Sequence, residues 1–187
     1  MPTTGSAPFH SSATAPVPRW ALIAVVLALV LFLQALTSPP PRARAAPATC
    51  TVERVIDGDT FVCRDGTHVR MLQINAQELS DCGGEWAKAA LNNIFLPPGT
   101  QVRLDYDAVR TDRYGRDLAA PIIVGTDGAE YNISIVMVYT GLAKAAYYGD
   151  NAKYLDWANA AQAWAAAARW NMWAPGGPYN GATNCGG

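Results

Sequence analysis

The stretch TVERVIDGDTFVCRDGTHVRMLQI, residues 51–74, decides the fold. An apolar run ends at Ile56, Asp57-Gly58 supplies a tight turn, and residues 60–64 are rich in β-formers. Asp65-Gly66 makes a second hairpin turn and residues 67–74 form a longer strand, so the segment predicts an antiparallel meander. Downstream, residues 85–95 have helical composition and stop at Pro97-Pro98-Gly99. Val102, Leu104 and Tyr106 alternate with charged residues, which predicts a strand with one buried face. Residues 119–124 form a further strand, in which Pro121 argues for an edge or a bulge because proline cannot donate to the ladder.

After the Asp127-Gly128 turn, Ile133, Val136, Met137 and Thr140 recur at helical spacing up to Gly141, a residue suited to end a helix. A last helix is predicted over residues 152–172, ended by Pro175, with Trp157, Trp164, Trp170 and Trp173 as packing residues. Five β segments, one interposed helix and others at the end describe an α+β, mainly β chain. The architecture expected is a five-stranded oligonucleotide-binding (OB) barrel with about three packed α-helices.

Three regions follow from composition. Residues 1–19, rich in Pro, Ser, Thr and Ala, are predicted to be disordered. Residues 20–45 hold an apolar run, Trp20 to Leu36, followed by a linker and Ala43-Arg44-Ala45, a small-residue cleavage pattern. Cleavage before Ala46 makes the protein secreted; an uncleaved signal anchor, the alternative, leaves the domain on the outer side of a membrane. Residues 46–187 are the globular domain. Three of the 14 basic residues precede residue 46, so this domain carries 11 Lys and Arg against 15 Asp and Glu, a net charge of −4. A broadly cationic surface is thereby excluded. A local basic patch of Arg70, Arg110, Arg113, Arg116 and Lys144 is expected for any polyanionic partner.

Cys50, Cys63, Cys82 and Cys185 contain no C-x-x-C pair, and the domain keeps one histidine, His68, which disfavours a zinc site and paired-histidine chemistry. Disulfides are expected instead. Cys50 and Cys63 flank the first turn on neighbouring strands, which leaves Cys82 for Cys185, although three pairings are formally open.

The motifs VIDGDTF at 55–61, RMLQINAQE at 70–78 and RTDRYGR at 110–116 combine carboxylates, an isolated glutamate and arginines. Taken alone, the first is a hairpin turn, the glutamate an ordinary loop residue and the third a charged surface turn. Together they supply what is needed to hold a divalent cation against a phosphodiester and hydrolyse it. In their order and spacing, residues 51–173 resemble the staphylococcal (micrococcal) nuclease, or thermonuclease, family.

The resemblance implies an SNase-like OB fold and a secreted endonuclease that hydrolyses DNA and RNA phosphodiesters with low sequence specificity, leaving a 3′-phosphate. It implies Arg70, Glu78 and Arg116 as catalytic residues, and Arg113, Tyr114 and Tyr147 as contacts to the nucleotide. Tyr148 is expected to be surface or core filler. One weakly bound Ca2+ would be held by Asp59, Asn75 and the carbonyl of Ala76, with Asp57 in support. Asn75 departs from the family pattern, which has an acidic ligand there, and so do Asp81 and Glu85, which stand where the family carries lysines. The rival readings are a non-catalytic OB module that binds nucleic acid through a degenerate metal site, and an anchored envelope protein. No protein partner is implied, and a monomer is expected.

Overall fold

The computed structural model describes residues 48–180. The apolar leader, its cleavage pattern and Cys185 lie outside the described residues. Among the described residues, no helix is long and apolar enough to cross a membrane.

The predicted meander forms from β1 (Ala48–Val55), β2 (Thr60–Cys63) and β3 (His68–Met71), each antiparallel to the next. Asp57 closes the first turn, its Oδ1 accepting the Asp59 N–H at 3.0 Å, and Asp65 does the same for Thr67 at 2.9 Å in the second. β4 (Ile74–Ala76) follows, then α1 (Gly84–Ala90) with a π-helical turn over Leu91–Phe95. β5 (Gln101–Thr111) and β6 (Asp117–Val124) form a long hairpin. β5 pairs with β1, and β6 pairs in parallel with β3, so the sheet β3-β2-β1-β5-β6 closes on itself as a five-stranded barrel. Phe61, Val69, Met71 and Ile74 are fully buried inside, with Leu91 and Met137 packed against them from the helices.

The five barrel strands are those expected from the sequence. The longer strand predicted at 67–74 is broken, however, at Leu72-Gln73. There Gln73 takes a left-handed φ of 58°, and β4 leaves the barrel to pair with β8 (Ala143–Ala145). Arg70 fills the break by donating from Nη1 to the carbonyls of Met71 (2.9 Å) and Ile74 (3.0 Å). Pro121 is not on an edge. It pairs opposite Leu104, and on its other side β3 ends at Ala119 while β7 (Glu130–Asn132) begins at Ile122. Proline sits where the strand changes partner, a place where no ladder donor is required.

α2 (Ile133–Tyr139) ends as predicted at Gly141, φ 74°, with Gly141 N–H on Val138 O and Leu142 N–H on Met137 O, both 2.9 Å. α3 (Leu155–Ala168) is shorter than predicted at both ends. Before it, Asn151 is buried and clamps the backbone of Val109 through both amide atoms, at 2.8 and 2.9 Å. After it, Arg169 turns left-handed, so that Met172 is buried and Asn171 donates to Thr140 O at the end of α2. The tryptophans pack as expected, but on one another and on tyrosines and not in the core. The buried stripe of α3 is Ala158, Ala161 and Ala165, small enough for close approach to its neighbours. Trp157 (64% exposed), Trp164 and Trp170 are therefore displaced to the surface, where Trp164 stacks on Tyr139 at 4.2 Å.

Cys50 and Cys63 form the expected disulfide between β1 and β2, with Cα atoms 5.6 Å apart. Cys82 is disulfide-bonded as well.

Candidate active site

The first turn is brought against β4 and α1 by a glycine that tolerates no side chain. A Cβ on Gly58 would lie 2.5 Å from the Ala76 Cβ and 2.6 Å from the Ala87 Cβ. This close approach sets Asp59 beside β4, where its Oδ2 accepts the Ala76 N–H at 2.7 Å and its Oδ1 accepts the Thr60 hydroxyl at 3.1 Å. Arg70 comes from the strand paired with β2, directly opposite Thr60, and its Nη2 reaches Asp59 Oδ2 at 3.1 Å. Burial lifts the Asp59 carboxyl from the usual range to about 6. The Arg70 charge and the Ala76 N–H pull it back only in part, and the neighbouring Asp57 adds to the rise.

The same Arg70 Nη2 lies 3.1 Å from Asn75 Oδ1 and 3.3 Å from the Tyr148 hydroxyl, which itself donates to Asn75 Oδ1 at 3.0 Å. Oxygens of Asp59 and Asn75 thus converge on one point, held together by a guanidinium. Glu78 stands on the exposed loop between β4 and α1. Its carbonyl accepts the Asp81 N–H at 2.8 Å, and Gly84 packs so closely that a Cβ there would lie 1.9 Å from the same oxygen.

Arg116 belongs to the tip of the β5–β6 hairpin. Asp112 shapes that tip by accepting the backbone N–H groups of Tyr114 (2.8 Å) and Arg116 (3.0 Å) and the Arg116 Nε–H (2.8 Å). Burial is the largest single influence on the Asp112 carboxyl and raises it, but these hydrogen bonds and the Arg116 charge together outweigh it and hold the group below the usual range. The guanidiniums of Arg113 and Arg116 lie 4.7 and 5.5 Å from the centre of the Tyr114 ring, which is 67% exposed.

These elements enclose a cleft of about 550 Å³, lined by Asp57, Asp59, Arg70 and Glu78 on one side and by Arg113, Tyr114 and Arg116 on the other. All three residues expected to act on a phosphodiester line it. Of the expected nucleotide contacts, Arg113 and Tyr114 line it and Tyr147 does not; the adjacent Tyr148 stands there instead. Asn75, which is exposed, and the buried Ala76 are not among the lining residues but are hydrogen-bonded to Arg70 and Asp59 respectively. The five-residue basic patch is divided: Arg110 lies over the Tyr106 ring at 3.9 Å and Lys144 over the Tyr179 ring at 4.5 Å, outside the cleft.

Calcium takes oxygen donors, and Asp59, Asn75 and the Ala76 carbonyl are of the right type. In this structure the Asp59 and Asn75 oxygens both accept from Arg70 Nη2, and among the described residues no group of three or more acidic, histidine or cysteine residues able to hold a metal exists.

A family model described as "Staphylococcal nuclease homologue" matches residues 68–175. The chain is 32% identical over 170 residues to the thermonuclease of Staphylococcus hyicus, covering 81% of this chain and 94% of that protein. It is 31% identical over 163 residues to the thermonuclease of Staphylococcus intermedius, with the same coverage of 81% and 94%.

Proposed function

The chain belongs to the staphylococcal nuclease family, and on that premise we propose that it is an exported, calcium-dependent endonuclease hydrolysing DNA and RNA phosphodiesters with low sequence specificity. The observation that carries this reading is the meeting of Arg70, Glu78, Arg116 and Asp59 in one cleft, although they come from three separate motifs. Export is supported by the Cys50–Cys63 disulfide, which persists in oxidising compartments.

In this cleft the chemistry divides among the chain's own groups. Glu78, on an exposed loop, accepts the proton of the attacking water. Arg116, fixed through its Nε by Asp112, presents positive charge to the non-bridging phosphate oxygens. Arg70 contributes positive charge from the other wall, its Nη1 already donating to two backbone carbonyls and its Nη2 to Asp59 and Asn75. Tyr114 offers an exposed face for a base, and stacking of this kind carries no sequence preference. Asp59, Asn75 and the Ala76 carbonyl would hold the Ca2+, which when bound supplies Lewis-acid charge stabilisation at the phosphate.

Incubating the protein with plasmid DNA and with RNA, in calcium and in chelator, tests this. Calcium-dependent loss of both substrates is expected. A second reading, a binding module without turnover, draws on the two hydrogen bonds that already occupy Asn75 Oδ1. Nucleic-acid binding with no cleavage in either condition would establish it instead.

A further inference from the structure

A second groove, of about 390 Å³, opens on the far side of Arg116. Gly66, Thr67 and His68 form one wall, from the β2–β3 turn, and Tyr114, Arg116 and Asp117 form the other. Tyr114 and Arg116 line both this groove and the catalytic cleft, so the two are continuous across the hairpin tip.

The parallel β3–β6 ladder explains the continuity. Arg70 pairs with Leu118 and Val69 with Asp117. Side chains two apart share a face, so Arg70 with Leu118, and His68 with Arg116, form successive rows on one side of the sheet. The first row lines the cleft and the second lines the groove. Two residues along a strand advance about 6.6 Å, close to the step between neighbouring phosphates of an extended single strand. Asp117 borders the groove, but its carboxylate accepts the Tyr106 hydroxyl at 2.6 Å and is thereby engaged within the protein. His68 is exposed and offers a ring N–H donor. The second guanidinium over the Tyr114 ring, Arg113, adds charge at the junction.

We propose that this groove is a second nucleotide subsite, in which His68 and Thr67 bind the sugar-phosphate adjacent to the one held in the catalytic cleft. It rests on the reading of that cleft as a phosphodiester site. The consequence is a preference for longer substrates: a dinucleotide with one phosphodiester fills the cleft alone, whereas a hexanucleotide also fills the groove.

The test compares the full chain with His68→Ala and Thr67→Ala, each confirmed folded by its thermal melt. Cleavage of a dinucleotide and of a hexadeoxynucleotide is measured, together with fluorescence anisotropy of the labelled hexanucleotide in chelator. Losing one hydrogen bond to a charged group predicts roughly a tenfold fall in kcat/KM and in affinity for the hexanucleotide, with dinucleotide cleavage unchanged. Equal losses on both lengths, or none on either, overturn the subsite. If the wild-type protein cleaves nothing, the nuclease reading fails and the anisotropy still decides: hexanucleotide binding weakened tenfold by His68→Ala upholds the groove. Binding that is unaltered, or absent in the wild type, overturns it.

Discussion

Asn75 stands where the resemblance to the family implies an acidic ligand. Its Oδ1 accepts hydrogen bonds from Arg70 and from Tyr148, and an aspartate there would keep both while adding a charge beside Asp59. Because calcium affinity rises with ligand charge, Asn75→Asp is predicted to tighten calcium binding by roughly an order of magnitude. Calorimetric titration of calcium into both proteins reads this without depending on activity, and superimposable curves would remove Asn75 from the metal site. Asp59, Arg70, Glu78 and Arg116 were legible in the sequence because each stands at a fixed offset within a motif. Tyr148 was not. Two adjacent tyrosines carry no sequence signal for which one faces a cleft, and Tyr148 is held there by tertiary hydrogen bonds of its hydroxyl with Arg70 and Asn75.

Among the elements, the barrel strands were legible because alternation and two Asx-Gly turns fix their faces and register. The break between β3 and β4 was not, since residues 67–74 are uniformly β-prone and the interruption is made by a tertiary contact, the Arg70 guanidinium on the Met71 and Ile74 carbonyls. The end of α3 was hidden for a similar reason, because burial of Met172 is a tertiary gain that helical propensity does not register. The packing of the first turn on β4 and α1 yields a stability prediction. Gly58→Ala forces two alanine Cβ atoms apart and should destabilise by about 1–3 kcal/mol, as overpacking does. Urea denaturation measures it, and an unchanged midpoint would mean the turn is not so closely packed.

The join of β5 to the start of α3 carries a pH dependence. Burial raises the Asp105 carboxyl, but hydrogen bonds from Lys153 Nζ (2.7 Å) and the Tyr154 hydroxyl, with the charges of Lys153 and Arg103, outweigh that and hold it below the usual range. A depressed folded value stabilises the fold above the unfolded pKa, about 3.9, and that contribution is lost as pH falls through the folded value. The urea midpoint of the wild type should therefore drop below about pH 4 more steeply than that of Asp105→Asn. Parallel curves would contradict the assignment.

For the molecule as a whole, a domain with 11 basic and 15 acidic residues must engage a polyanion through a small patch. Arg70, Arg113 and Arg116 in the cleft set about three phosphate contacts, so binding to single strands should weaken with salt at a log–log slope of about −2. A much steeper slope would require a basic surface that the composition denies. The central claim is that this cleft hydrolyses phosphodiesters with Glu78 acting on the attacking water, and single-turnover cleavage by Glu78→Gln, measured beside its affinity for the same oligonucleotide, tests it most directly. Glu78→Gln is expected to lower the rate by about 10²- to 10⁴-fold with affinity essentially unchanged; cleavage at the wild-type rate would remove Glu78 from the reaction.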